Sequence, residues 1–135
     1  MRSWAAILLL AACTGWAQTA YMPKFPGDPA HSNAEAAALG YLRTVAGAQR
    51  EYKKKHGEYA SSLAALVHSG SFTKRMTNTD RGDYTVHFRG KKDAFALQML
   101  PKQFDPEHRA FYTDETGKIR AEDDKTATAE SPILK

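Results

Sequence analysis

Histidine is the side chain that most often takes part in catalysis or metal binding. The spacing of the histidines in this chain matches neither a catalytic nor a metal-binding pattern. No two of them stand in a His-x-x-x-His arrangement, which would place both imidazoles on one face of a helix. No phosphate-binding glycine loop and no Ser-His-Asp or Cys-His arrangement is recognisable. We interpret all five as structural or surface residues: His31, His56, His68, His87 and His108. The sequence predicts no catalytic, cofactor-binding or metal-binding residue, and no cofactor.

Two pairs of adjacent carboxylates are also compatible with ordinary structural roles. Asp114-Glu115 falls in a predicted turn, where Asp is favoured because its side chain bonds to the local backbone. Asp123-Asp124 falls in a predicted tail, and a glycosidase pair would need a cleft that so small a domain hardly offers. The tripeptide Arg81-Gly82-Asp83 matches an integrin-binding motif but equally suits a turn before a strand. We therefore predict that the protein is not an enzyme.

The basic residues support the one alternative function that has a chemical basis, which is binding of a polyanion. The 135-residue chain has 19 Lys and Arg against 15 Asp and Glu, for a formal net charge of +4. A patch of these residues would suit DNA or another polyanion. The plainer interpretation is that they are solvated and compensate a helix dipole. The residues of this predicted patch are Lys53, Lys54, Lys55, Lys74, Arg75, Arg89, Lys91 and Lys92.

The N-terminal residues resemble an export leader. A single Arg precedes an apolar run that is too short to span a bilayer but long enough for a signal peptide. Two processing routes remain open: residues 1–17 form a signal peptide cut before Gln18, or residues 1–12 form a lipoprotein leader and Cys13, the single cysteine, is lipidated. Membrane contact would arise only through a lipid on Cys13. Residues 18–31 contain three prolines and predict an extended linker.

The segment from Ser32 to Gly57 predicts one long amphipathic helix, on which the rest of the domain packs. Ser32 and Glu35 fit a capping box at its start, and Gly57 suits the left-handed residue after its end. Apolar or near-apolar side chains recur at a spacing of three and four residues, which predicts one buried face. The members of this face are Ala38, Leu39, Leu42, Val45, Ala46, Gln49, Tyr52 and His56.

Shorter elements follow the helix. Leu63 to Val67 predicts a short second helix, with the caps Ser61-Ser62 before it, the stop Ser69-Gly70 after it, and a buried stripe of Leu63, Leu66 and Val67. Residues 72–82 predict a surface loop. Alternation of apolar and polar residues then predicts two hairpins, with turns at residues 90–93 and 114–117. We expect an α+β fold in which the two helices pack on a four-stranded antiparallel sheet over residues 32–121, followed by a C-terminal tail at 122–135. The predicted core is Leu39, Leu42, Val45, Tyr52, Phe88, Phe95, Leu97, Phe111 and Ile119.

Several stretches resemble the globular domain of type IV pilin-like proteins and type II secretion pseudopilins. They are Asn33-Ala34-Glu35-Ala36, Gly40 to Val45 with Gln49 and Tyr52, Gly57-Glu58-Tyr59 before Ser62 to Leu66, Phe111 to Arg120, and Ser131-Pro132. The resemblance covers about residues 32–134 and implies a helix laid on an antiparallel sheet. The prepilin peptidase site and long apolar N-terminal helix of that family are not present, which puts filament assembly in doubt.

Together these features predict an exported bacterial protein, periplasmic or secreted, or alternatively anchored as a lipoprotein. We expect a non-enzymatic pilin-like domain that acts by contact with other proteins of the cell envelope. Exposed strand edges and loops are its expected binding surfaces. The alternative is a polyanion- or DNA-binding module that uses the basic patch.

Overall fold

The computed structural model describes residues 20–135, and these form an α+β fold with one long helix and one antiparallel sheet. Helix α1 spans Asn33–His56, as predicted. The Ser32 hydroxyl accepts a hydrogen bond from the Glu35 N–H at its start. Gly57 ends it with φ of 74°, a left-handed conformation that glycine adopts without steric cost, and its N–H donates to the Lys53 carbonyl.

The sheet contains five strands in sequential order: β1 (Asp80–Arg81), β2 (Tyr84–Gly90), β3 (Phe95–Pro101), β4 (Ala110–Asp114) and β5 (Ile119–Glu122). Every neighbouring pair is antiparallel. The predicted hairpins correspond to β2–β3 and β4–β5. In the second hairpin the Gly117 N–H donates to the Asp114 carbonyl, and Gly117 has the positive φ that its turn requires.

Two parts of the predicted architecture are wrong. The sheet has five strands and not four, because Asp80 and Arg81 in the predicted loop pair with Thr85 and Tyr84 of β2. The predicted second helix is only a three-residue 3₁₀ helix, Ala64–Leu66. It ends because Val67 has ψ of 129° and His68 has φ of 74°, both outside the helical region. A second 3₁₀ helix, Lys74–Thr77, also lies within the predicted loop.

The core lies between α1 and the face of the sheet that α1 covers. Most of the predicted core is confirmed as buried: Leu39, Leu42, Val45, Phe95, Leu97 and Phe111. Tyr52, Phe88 and Ile119 are only half-buried at its margin. The predicted core omitted Phe72, which lies in the predicted surface loop and is buried. It also omitted Tyr84, Val86 and Met99, which are buried and which the alternation in the strands had placed on the apolar face.

The C-terminal residues cover the opposite face and one edge of the sheet. Ala127 is fully buried beside Ala110 and Tyr112, and its carbonyl accepts a hydrogen bond from the Gln98 side chain. The chain then runs along β5, where the Ala121 N–H donates to the Pro132 carbonyl and the Leu134 N–H donates to the Ile119 carbonyl. The β5 edge is therefore paired by the chain's own terminus.

Residues 20–31, within the predicted linker, lie against the start of α1. The Tyr21 hydroxyl bonds to the Asp28 carboxylate, and this bond is the main reason that the pKa of Tyr21 rises to about 12. Phe25 lies under the Arg43 guanidinium, 5.6 Å from the ring centre. The leader and Cys13 lie outside the described residues. Within residues 20–135, no helix is both long and apolar enough to cross a bilayer.

Candidate functional site

The outer edge of β2 is the surface that best fits a binding role, and its first half is covered by β1. The Val86 N–H donates to the Thr79 carbonyl at 2.9 Å, so the backbone polar groups of Val86 point away from β3. Strand geometry repeats every two residues, and the backbone N–H and C=O of Phe88 therefore point the same way. Phe88 lies beyond the reach of β1, which pairs only with Tyr84 and Thr85.

The far end of the same edge is covered by a different segment. The Tyr59 N–H donates to the Lys92 carbonyl at 3.0 Å, four residues beyond Phe88. Ala60 lies so close to β2 that a Cβ on Gly90 would stand 1.9 Å from the Ala60 carbonyl oxygen. Only a residue without a side chain fits there. The edge is thus covered at both ends and uncovered at Phe88. We call this uncovered stretch of β2 the interrupted edge, or the Phe88 gap.

Gln49 holds this second segment in place. Its side chain is fully buried in α1, where the helical pattern had placed it on the inner face. The carboxamide accepts from the Ala60 N–H at 2.8 Å and donates to the Ala60 carbonyl at 3.0 Å. Both backbone groups of a buried loop residue are satisfied by one side chain, which fixes the loop relative to the sheet.

A groove of about 800 Å³ opens at the interruption. One wall is formed by Ser61, Ser62 and Leu63, and the other by Thr77 and Thr79. Its floor consists of β2 and β3 residues: Val86, His87, Phe88, Arg89, Ala96 and Gln98. His87 and Arg89 are exposed on one face of β2 and Phe88 is half-buried on the other, so the groove presents an imidazole and a guanidinium on one side of the strand and an aromatic ring on the other. Such a surface can hold a short extended segment of another chain.

The structure brings only part of the predicted basic patch together. The Lys53 ammonium lies 4.4 Å from the centre of the Tyr59 ring, and the Tyr59 backbone bonds to Lys92. The end of α1 and the β2–β3 turn, with Lys91 and Lys92, therefore meet around Tyr59. Arg89 lies in the groove. The remaining residues are Lys54, which pairs with Glu51 at 3.3 Å, Lys55 at the helix end, and Lys74 and Arg75 in the second 3₁₀ helix.

The tripeptide Arg81-Gly82-Asp83 spans the end of β1 and the turn to β2, and both charged ends have partners within the chain. The Arg81 guanidinium lies 4.3 Å from the centre of the Tyr41 ring. The Asp83 carboxylate contacts His108 Nε2 at 3.0 Å, and Asp105 contacts His108 Nδ1 at 2.8 Å. Burial opposes protonation of His108, but these two carboxylates outweigh it and raise its pKa.

Sequence reasoning missed the buried pairing of Glu35 with Arg109. Glu35 is fully buried and its carboxylate accepts from the Arg109 side chain, the Arg109 N–H and the His31 N–H. Burial disfavours the charged form, yet these donors prevail and the pKa of Glu35 lies below its ordinary value. The only signal was Glu35 itself, three residues after the helix cap. Nothing in the sequence marked Arg109 as its partner.

Among residues 20–135, no three His, Cys, Asp or Glu side chains are grouped so that they could hold a metal ion. Comparisons of the chain with protein-family models, with curated proteins and with solved structures find no match. The resemblance to pilin-like domains accordingly stays a prediction from the sequence. The interrupted edge at Phe88, with its groove, is the feature on which a functional proposal can be built.

Proposed function

We propose that this protein is an exported, non-enzymatic domain of pilin-like type that binds another protein of the cell envelope. The observation that carries the proposal is the interrupted β2 edge. Unpaired strand edges are ready-made templates for another chain, and folded proteins usually cover them. Here the β5 edge is covered by residues 132–134, while the β2 edge leaves Phe88 facing a groove.

Site-specific photo-crosslinking tests this proposal. A photo-reactive phenylalanine derivative is placed at Ser62, in the groove wall, in the full-length protein produced in its own cells. The matched control carries the same group at Lys118, which is exposed in the turn between β4 and β5. We expect a discrete crosslinked species from position 62 and none from position 118. Absence of a species specific to position 62 would refute binding at this edge.

Export is a separate part of the proposal, supported by the leader-like residues alone. The intact mass of the mature protein, measured in soluble and membrane fractions, distinguishes the two routes. A chain that begins at Gln18 in the soluble fraction identifies a signal peptide. A chain that begins at a lipidated Cys13 in the membrane fraction identifies a lipoprotein. A full-length chain retained inside the cell would rule out export.

Polyanion binding is the second candidate, and the convergence of α1 and the β2–β3 turn around Tyr59 favours it. Lys53, Lys91 and Lys92 are exposed at this end of the molecule. Binding through these residues would weaken as salt rises, because counterions are released from the polyanion. We expect Lys53→Glu with Lys92→Glu to reduce retardation of a DNA duplex at low salt, and Lys118→Glu to leave it unchanged. Equal retardation by all variants would exclude this patch.

A further inference from the structure

The groove at Phe88 has the features of a site for one added strand, and these features indicate what kind of strand fits. This inference rests on the proposed function and names the chemistry of the partner. Phe88 presents a backbone N–H and C=O that neither β1 nor Tyr59 reaches. An extended segment that lies along β2 can supply both an acceptor and a donor. Ser61, Ser62, Thr77 and Thr79 line its path on either side.

The side chains of β2 alternate between two faces, and each face selects a different residue type. His87 and Arg89 project from the face opposite α1 and are exposed, so they favour carboxylates at alternate positions of the added segment. Phe88 projects toward the α1 side, and Leu63 is buried in the groove wall. They favour apolar side chains at the intervening positions. The matching segment alternates acidic and apolar residues.

A second copy of this chain is a poor occupant of the same edge. Pairing of β2 with its own copy would bring Arg89 and Lys91 of one molecule near the same residues of the other. Like charges on adjacent strands are destabilising. The positive character of the strand therefore opposes self-association and favours a partner of opposite charge.

We infer that the interrupted edge of β2 at Phe88 binds an extended segment of a partner protein in which acidic and apolar residues alternate, by strand addition in the groove beside Arg89. The segment spans only a few residues, because Thr79 and Ala60 cover the edge on either side. Such a site recognises a short linear sequence and not a large folded surface.

Three synthetic peptides of about four residues, near the short end of strand lengths and short enough for the gap, test this inference. One alternates glutamate with valine, one alternates lysine with valine, and one is the glutamate peptide with a central proline that cannot donate to the ladder. Binding to the mature protein is measured by titration with amide NMR spectra. The variants are Arg89→Glu and, as the matched control, Lys118→Glu, both checked for folding by circular dichroism.

We expect the glutamate peptide to bind, to shift the Phe88 amide and to slow its hydrogen exchange. Arg89→Glu should weaken this binding at least about tenfold and admit the lysine peptide, as expected for an interaction set by opposite charges across neighbouring strands. Lys118→Glu should change neither. Equal binding of the proline peptide would overturn strand addition in favour of simple charge attraction. Failure of all three peptides, alongside a crosslink from Ser62, would overturn the peptide specificity and leave the proposed function intact.

Discussion

Glu35 and Arg109 form a buried ion pair that joins the first turn of α1 to the residue before β4. The Arg109 Nη2 atom lies 2.7 Å from Glu35 Oε1, and the Glu35 side chain is fully excluded from solvent. The same guanidinium donates to the Pro29 carbonyl, so it also holds the segment that leads into the helix. One arginine thus connects three parts of the chain.

Arg109→Met should destabilise the fold by about 3–5 kcal/mol, because it leaves the Glu35 charge buried without its counterion. The free energy of unfolding in urea measures this change. Lys54→Met is the matched control, since it removes a lysine from the exposed pair with Glu51 and should cost less than about 1 kcal/mol. A loss of stability below about 1 kcal/mol for Arg109→Met would contradict the conclusion that the buried Glu35 charge depends on Arg109 as its counterion.

His108 should make stability depend on pH. Its pKa is raised in the folded state, so the stabilisation by Asp105 and Asp83 is fully present below the ordinary histidine pKa and is lost as pH rises through the raised value. At the acid end the pKa of Asp105 is lowered, mainly by its hydrogen bond with His108, so its contribution is lost as pH falls through that lowered value. The stability difference between the wild type and His108→Gln should therefore be larger near pH 6 than near pH 9, by at most about 1 kcal/mol because the carboxylates are solvent-exposed. A difference that does not vary between these two pH values would contradict the ion-pair assignment.

Gly90→Ala should destabilise the protein by about 1–3 kcal/mol or more, since the new methyl group would overlap the Ala60 carbonyl and the Ser61 Cα. Thermal unfolding and the amide spectrum of residues 59–61 measure the effect. Gly40→Ala is the matched control: Gly40 is exposed in α1, with open space at its Cβ position. That substitution should stabilise by about 0.5–1 kcal/mol. If Gly40→Ala were less stable than Gly90→Ala, the loop of residues 59–61 would not pack against β2 as described.

Gln49→Leu should cost about 2–4 kcal/mol, because the Ala60 N–H and C=O would lose their partner while remaining buried. Hydrogen exchange of the Ala60 amide should accelerate, and urea unfolding should report the loss of stability. Gln103→Leu changes the same residue type at an exposed position and should stay within about 0.5 kcal/mol of the wild type. An unchanged Ala60 exchange rate in Gln49→Leu would mean that the loop is held by other contacts.

Local signals predicted the helix well. The cap at Ser32, the apolar spacing and the stop at Gly57 all lie within or directly beside the helix in the sequence, so each can be recognised without knowing any distant contact. The two long hairpins were recognised for the same reason, since alternation and turn residues are adjacent in the chain. The short second helix was overestimated, because Leu63, Leu66 and Val67 suggested a helical period over too few residues to distinguish an α-helix from a single 3₁₀ turn.

Features that depend on distant contacts were not predictable. Strand β1 is different: it pairs with the nearby residues Tyr84 and Thr85, and it was missed because Asp80 and Arg81 are a polar pair without alternation. Glu35 and Arg109 are 74 positions apart, so no spacing rule connects them. The groove at Phe88 arises from segments near residues 60 and 79, and the chain order alone does not indicate that both end beside the same strand.

Coverage of the β5 edge by residues 132–134 has a consequence for assembly size. A sheet that accepts a strand on both sides can grow without limit into a fibre, whereas a sheet that accepts one on a single side stops after one addition. Residues 132–134 already occupy the outer side of β5, so of the strands β2 and β5 only β2 can take a partner segment. We expect one partner segment per molecule at the Phe88 gap, and the paired terminus prevents β5 from joining this sheet to the sheet of another molecule.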